Sequence, residues 1–107
     1  MEHTTVRLGK IGETAIIHDI VKNYDYPIYE PIVDDVGVDL VVDRGDKFFK
    51  LQVKTIANPK KETSVEVRLR KYDKKAFDIV AIYYPLKDII AYGFMSLWSS
   101  HKNDDIF

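Results

Sequence analysis

The chain has 107 residues, 46% of them hydrophobic and 31% charged, with 16 Lys and Arg against 17 Asp and Glu and no cysteine. This is the balance of a globular chain, long enough for one core that buries roughly 65% of the surface exposed on unfolding. Disulfides and thiolate zinc sites are excluded, and no apolar run approaches the ~18 residues that span a bilayer, so one soluble, cytoplasmic domain over residues 1–107 is expected.

The first predicted element is a helix from about Thr5 to Asn23, where Ile16, Ile17, Ile20 and Val21 recur at helical spacing and need a sheet to cover. Glu13 heads this stripe, with Ile16, Ile17 and Ile20 three, four and seven residues further on, so its side chain is expected to point toward the sheet. Gly9 and Gly12 would let the helix backbone approach the sheet or a nucleic acid closely. Tyr26-Pro27 ends the helix, and residues 28–33 read as a short strand or extended segment. Residues 36–43 and 48–56 alternate as two strands of a hairpin, with Gly45-Asp46 as its two-residue turn. After a polar loop at 58–62, residues 64–71 alternate Val65, Val67 and Leu69 with Glu66, Arg68 and Arg70, a strand with one basic face. The nearly continuous apolar run 78–84 reads as a strand buried on both sides. Pro85-Leu86-Lys87-Asp88 turns the chain into a strand at 89–94, residues 95–101 read as a short closing helix, and 102–107 as a frayed end.

The hairpin is the most informative piece. With Gly45 and Asp46 at the turn, Arg44 faces Lys47 and Asp39 falls opposite Gln52. Side chains two apart on a strand share a face, so Gln52 and Lys54 project with Asp39 as carboxylate, carboxamide and ammonium on one patch. A hard divalent cation wants oxygen ligands of the kind Asp39 and the Gln52 carbonyl oxygen supply, and it would activate water for phosphodiester hydrolysis. Lys54 would stabilise charge on the phosphate or orient the nucleophile, and Glu13 would add a carboxylate from the helix. Each residue alone has an ordinary explanation: a helix Glu favoured by the macrodipole, a strand-end acid, the wet face of a hairpin. Helix phase and hairpin register are independent, and both bring the groups to one place.

Charge is segregated. Residues 46–75 carry ten Lys and Arg against four Asp and Glu, and the stretch before them is acidic. An acidic pocket beside a basic surface suits a cation and a phosphate backbone together, with Arg68, Arg70, Lys71, Lys74 and Lys75 as candidate phosphate contacts. His3, His18 and His101 show no metal-ligand spacing. There is no phosphate-binding glycine loop or nucleophile elbow.

The order of Gly12-Glu13-Thr14-Ala15 on a helix, then Gly37-Val38-Asp39-Leu40-Val41-Val42, then Leu51-Gln52-Val53-Lys54-Thr55 resembles the PD-(D/E)XK nuclease superfamily. The resemblance spans residue 9 to about residue 94, and residues 77–84 resemble the strand that commonly follows. It implies an α/β fold, a central mixed sheet flanked by helices with a restriction-endonuclease-like αβββαβ core. It also implies Mg2+ as the usual cofactor, with Mn2+ as a substitute, and the Val53 carbonyl as a further ligand beside Glu13, Asp39 and Gln52. Val38 replaces the proline of the family's name. Gln52 replaces an acid and removes one charge from the metal site, a Q-x-K pattern that resembles intron-encoded homing endonucleases. The compact size resembles archaeal Holliday junction resolvases. The expected function is a metal-dependent DNA endonuclease acting as a homodimer or higher symmetric oligomer. A catalytically inactive nucleic-acid-binding or scaffold module on the same fold is the alternative, with Gln52 in its favour and the intact Glu13, Asp39 and Lys54 against it.

Overall fold

The computed structural model describes residues 4–33, 37–57, 77–94 and 107. Helix α1 (Thr5–Asn23) starts where predicted, because the Thr4 side chain accepts the Arg7 backbone N–H at 3.2 Å and satisfies one of the donors left open at a helix start. It stops at Tyr24 and Asp25, whose N–H groups both donate to the Ile20 carbonyl. Asp25 then takes a left-handed φ of 58°, which a short polar side chain tolerates better than most. The buried stripe of α1 is Gly12, Ile16 and Ile20. Val21 was expected in that stripe but is 54% exposed. One residue past Ile20 it lies about 100° around the helix, off the covered face.

Five strands form one sheet in chain order: β1 (Ile28–Tyr29), β2 (Leu40–Asp43), β3 (Phe48–Thr55), β4 (Ile79–Tyr84) and β5 (Ile89–Phe94). Neighbours are antiparallel except β3 and β4, which are parallel. The sheet is therefore mixed, as expected. A parallel pair needs a crossover connection, and residues 58–76, between β3 and β4 in sequence, lie outside the described residues. So do the strand expected at 64–71 and the helix expected at 95–101, and α1 is the one helix among the described residues.

Four strands are trimmed relative to expectation, β3 by one residue, at Thr55, and the other three each for a local reason. β1 ends at Tyr29 rather than residue 33, just ahead of Pro31, which has no N–H to give to a ladder. β2 begins at Leu40 rather than residue 36, after Gly37 at φ 84° takes the chain out of extended geometry. β4 begins one residue late, at Ile79; Asp78 instead caps the pair, its carboxylate accepting the Lys50 N–H at 2.9 Å.

The sheet buries both faces. Leu40, Val42, Phe49, Leu51, Ile79 and Ala81 meet Ile16 and Ile20 of α1 on one side, while Val38, Phe77 and Val80 cluster separately with Val41 and Ile82. β4 feeds both clusters, which accounts for its unbroken apolar sequence. Ile16 and Ile20 are fully buried, and each contributes about 1.5–3 kcal/mol to holding α1 on the sheet. Of the end expected to fray, residues 102–106 lie outside the described residues, and Phe107 itself is packed. Its ring is buried edge-on against Tyr24, Phe49 and Tyr92, and its carbonyl accepts from Arg44 Nη1 at 2.6 Å.

Candidate active site

The hairpin register predicted from the turn is the one observed: Leu40 pairs with Leu51, Val41 with Lys50, Val42 with Phe49 and Asp43 with Phe48. The turn closes through the Arg44 N–H to the Lys47 carbonyl at 3.0 Å. At the head of β2 the pattern changes. The Asp39 N–H donates to the carbonyl of Leu51 at 2.8 Å, although Leu51 is already the partner of Leu40. Two residues of one strand thus face one of the other, as in a β-bulge, a device that re-aims a side chain. Asp39 consequently does not sit squarely opposite Gln52, but its carboxylate swings across the end of the ladder. Oδ2 accepts the Val53 N–H at 2.7 Å and the Gln52 Nε2 at 2.9 Å.

These bonds orient the Gln52 amide. Nε2 faces Asp39, with a longer 3.5 Å contact to the Val53 carbonyl, so the other amide atom, Oε1, must face away from Asp39. Gln52 is only 6% exposed, the one buried polar residue among those described, and its Oε1 has no hydrogen-bond partner among them. A buried acceptor without a donor costs about 1–3 kcal/mol, and such groups in native structures call for a specific explanation. A cation is one that fits an oxygen.

Glu13 reaches the same place from α1 because the helix packs closely on β3 at Gly12. A Cβ added to Gly12 would lie 1.9 Å from Thr55 Oγ1, 3.2 Å from Thr55 Cβ and 3.5 Å from Val53 Cγ1. Only glycine allows that approach, so the expectation for Gly12 holds toward the sheet. For Gly9 it does not: nothing lies within 4 Å of its added Cβ. Glu13, next to Gly12, is 20% exposed in its side chain, and its Oε1 accepts from Lys10 Nζ at 3.1 Å. That bond, then the charges of Glu13 and Glu30 and finally Asp39, hold the Lys10 ammonium above the ordinary lysine range.

Glu13, Asp39, Gln52, Val53 and Lys54 all line one cavity of about 560 Å³, bordered on the helix side by Leu8 and Gly9. Its donor set is oxygen throughout: two carboxylates, the unpartnered Gln52 Oε1 and a backbone carbonyl. That set suits a hard divalent cation. It is a sparse set, since no group of three or more His, Cys, Asp or Glu side chains with metal-holding geometry occurs among the described residues. A larger groove of about 960 Å³ runs along the other flank of α1, between Arg7, Lys10 and His18 and the β4–β5 turn. Its acids are already engaged, Asp19 by Tyr92 and Asn23 and Asp88 by Tyr83. The convergence of polar groups, not cavity size, identifies the smaller cavity as the candidate site.

The structure thus brings together all four residues nominated as catalytic, with Val53. Arg68, Arg70, Lys71, Lys74 and Lys75 lie outside the described residues. The Lys10–Glu13 contact was not anticipated, although a spacing of three on a helix is the signal that would have found it.

A mixed sheet whose hairpin carries an aspartate and a Gln-Val-Lys segment, with a helix glutamate laid beside them, defines a restriction-endonuclease-like α/β domain. The chain belongs to the PD-(D/E)XK endonuclease family, whose model matches residues 3–102, and it is a nuclease by family. Among solved structures it is similar to a bacterial homing endonuclease, I-Ssp6803I, with a TM-score of 0.67 and 21% identity over 94% of this chain and 72% of that one. No curated protein matches the chain in sequence. No helix among the described residues is long and apolar enough to cross a membrane.

Proposed function

We propose that this protein is a divalent-metal-dependent endonuclease that hydrolyses phosphodiester bonds of duplex DNA. The observation that carries the reading is the Gln52 amide, whose Nε2 is held by Asp39 and whose Oε1 is buried without a hydrogen-bond partner among the described residues, in a side chain that lines the cavity shared with Glu13 and Lys54. Glu13, Asp39, Gln52 Oε1 and the Val53 carbonyl would hold the metal, Mg2+ by family habit with Mn2+ as substitute. When bound, such an ion polarises the phosphate and lowers the pKa of an attacking water. Asp39 has a second task, since the bonds it accepts from Val53 and Gln52 keep the carbonyl and amide oxygens oriented before any ligand arrives. Lys54, two residues beyond Gln52 on β3, presents a positive charge to the phosphate and to the negative charge that develops on its oxygens. Arg68, Arg70, Lys71, Lys74 and Lys75 would track the phosphate backbone.

The likeness to a homing endonuclease supports duplex cleavage of the homing or restriction kind over junction resolution. A cut in both strands then calls for two such sites, and a symmetric homodimer is the simplest way to supply them. One observation favours a second reading, a module that binds DNA without cutting it: Gln52 leaves the site with two carboxylates where the family pattern has three acids.

The deciding experiment incubates the protein with supercoiled plasmid, linear duplex and four-way-junction DNA, in Mg2+ or in chelator, beside Lys54→Ala. The nuclease reading expects metal-dependent nicking that Lys54→Ala abolishes. DNA binding without nicking of any substrate in Mg2+ or Mn2+ would hand the case to the binding module.

A further inference from the structure

We propose that Lys10 is a resident counter-ion of the candidate metal site, one that a divalent cation must displace from Glu13, so that Lys10 sets the metal affinity of the site. The proposal rests on the metal-site reading above and concerns a residue outside the ligand set.

Three features of the site carry it. First, an ammonium already holds one of the carboxylates that a cation would use: Lys10 Nζ is 3.1 Å from Glu13 Oε1, and Glu13 lines the cavity with Asp39 and Gln52. A divalent ion bound to Glu13 would meet a like charge at hydrogen-bonding range of its own ligand. Second, the contact is made to be broken. Lys10 is 63% exposed in its side chain, its ammonium makes no other hydrogen bond among the described residues, and partly exposed pairs of this spacing on a helix are weak. Third, Lys10 has somewhere to go. It lines the neighbouring open groove beside Arg7 and His18, while Glu13, its partner, lines the cavity. Lys10 therefore reaches Glu13 from the groove side, able to neutralise that carboxylate in the absence of metal and to withdraw into the groove when metal arrives. The sparse ligand charge gives this consequence, because with Gln52 in place of an acid one displaced lysine is a large part of the local balance.

The test titrates Mn2+ into metal-free protein by calorimetry, without DNA, at constant ionic strength, so that no cleavage is involved. Lys10→Met removes the counter-ion from an exposed position, and circular dichroism checks that the fold is kept. Mn2+ is expected to bind about three- to tenfold more tightly to Lys10→Met, from the loss of one nearby like charge and a weak competing pair. Lys10→Arg keeps the charge and should stay near wild type. Lys22→Met makes the same change in net charge twelve residues along the helix, about 18 Å away. That is beyond a Debye length of roughly 8–10 Å, and it should leave affinity unchanged. Wild-type or weaker affinity in Lys10→Met overturns the proposal, as does equal tightening in Lys22→Met. Absence of Mn2+ binding in every protein would overturn the metal-site reading as well, whereas normal wild-type binding with no response to Lys10→Met overturns this inference alone.

Discussion

Gln52 gives one end of its amide to Asp39 and leaves the other unused: Nε2 donates to Oδ2 at 2.9 Å, while Oε1 stays buried without a hydrogen-bond partner among the described residues. An acid at position 52 could not do this, since two carboxylates at that separation repel and one is driven toward its protonated form. The amide keeps the metal-free site folded around a single charge at that point and still offers an oxygen to a cation.

Gln52→Glu therefore has opposite effects in the two states. Without metal, it replaces a donor by a second carboxylate facing Asp39 and should lower stability by about 1–3 kcal/mol. With Mn2+, the added charge should produce a larger rise in melting temperature than in wild type. Thermal unfolding at pH 7 with and without Mn2+ checks both. An unchanged metal-free melting temperature would mean that the Asp39–Gln52 bond does not form in solution.

Asp39→Asn separates ligand charge from scaffold. Its amide oxygen can still accept the Val53 N–H, so the head of β2 should hold with a loss of no more than about 1–2 kcal/mol. Mn2+ binding should fall below detection by calorimetry, and plasmid nicking should drop by roughly 10²-fold or more. Retained metal binding would remove Asp39 from the ligand set.

Gly12→Ala tests the seating of the helix. Alanine is the better helix former by about 1 kcal/mol, yet its Cβ would meet Thr55 Oγ1 at 1.9 Å and lift α1 from β3. A net destabilisation of about 1–3 kcal/mol is expected, with weakened Mn2+ binding as Glu13 leaves the cavity. Thr55→Ala in the same chain deletes the obstructing oxygen and should restore most of both, since the next contact is 3.2 Å. Urea unfolding and Mn2+ titration of the single and double variants measure the coupling, and independence of the two substitutions would refute the steric account.

Tyr92 sets an alkaline limit. Burial first, and then its bond to Asp19 at 2.5 Å, push its hydroxyl well above the ordinary tyrosine range. Because the folded value lies above the unfolded one of about 10, the stabilisation is fully present below pH ~10 and is lost as pH rises through the folded value. Tyr92→Phe should cost about 1 kcal/mol at neutral pH and flatten the decline in stability above pH 10. Urea unfolding from pH 7 to 11 shows it, and parallel slopes for the two proteins would contradict it.

Much of this protein was legible residue by residue. The 5–23 helix, the hairpin register around Gly45-Asp46, and, to within one residue at an end, the strands read at 48–56, 78–84 and 89–94 follow from hydrophobic period, caps and turn chemistry, all of which act over a few neighbouring residues. The co-location of Glu13, Asp39, Gln52 and Lys54 was also readable, because helix phase and strand register each constrain direction.

Other relations were beyond it. Asp39 captures the Val53 N–H just ahead of β2, where its own N–H bonds the Leu51 carbonyl out of register, and Gln52 leaves its oxygen unpartnered because Asp39 claims its nitrogen. Phe107 is held by Arg44, 63 positions away in the chain, where a reading of the last residues alone saw only an end. Local pattern determined which elements form and which way their side chains point. Only the packed chain decided which donor meets which acceptor, because hydrogen bonds and close contacts turn on distances of a few tenths of an ångström that no periodicity encodes.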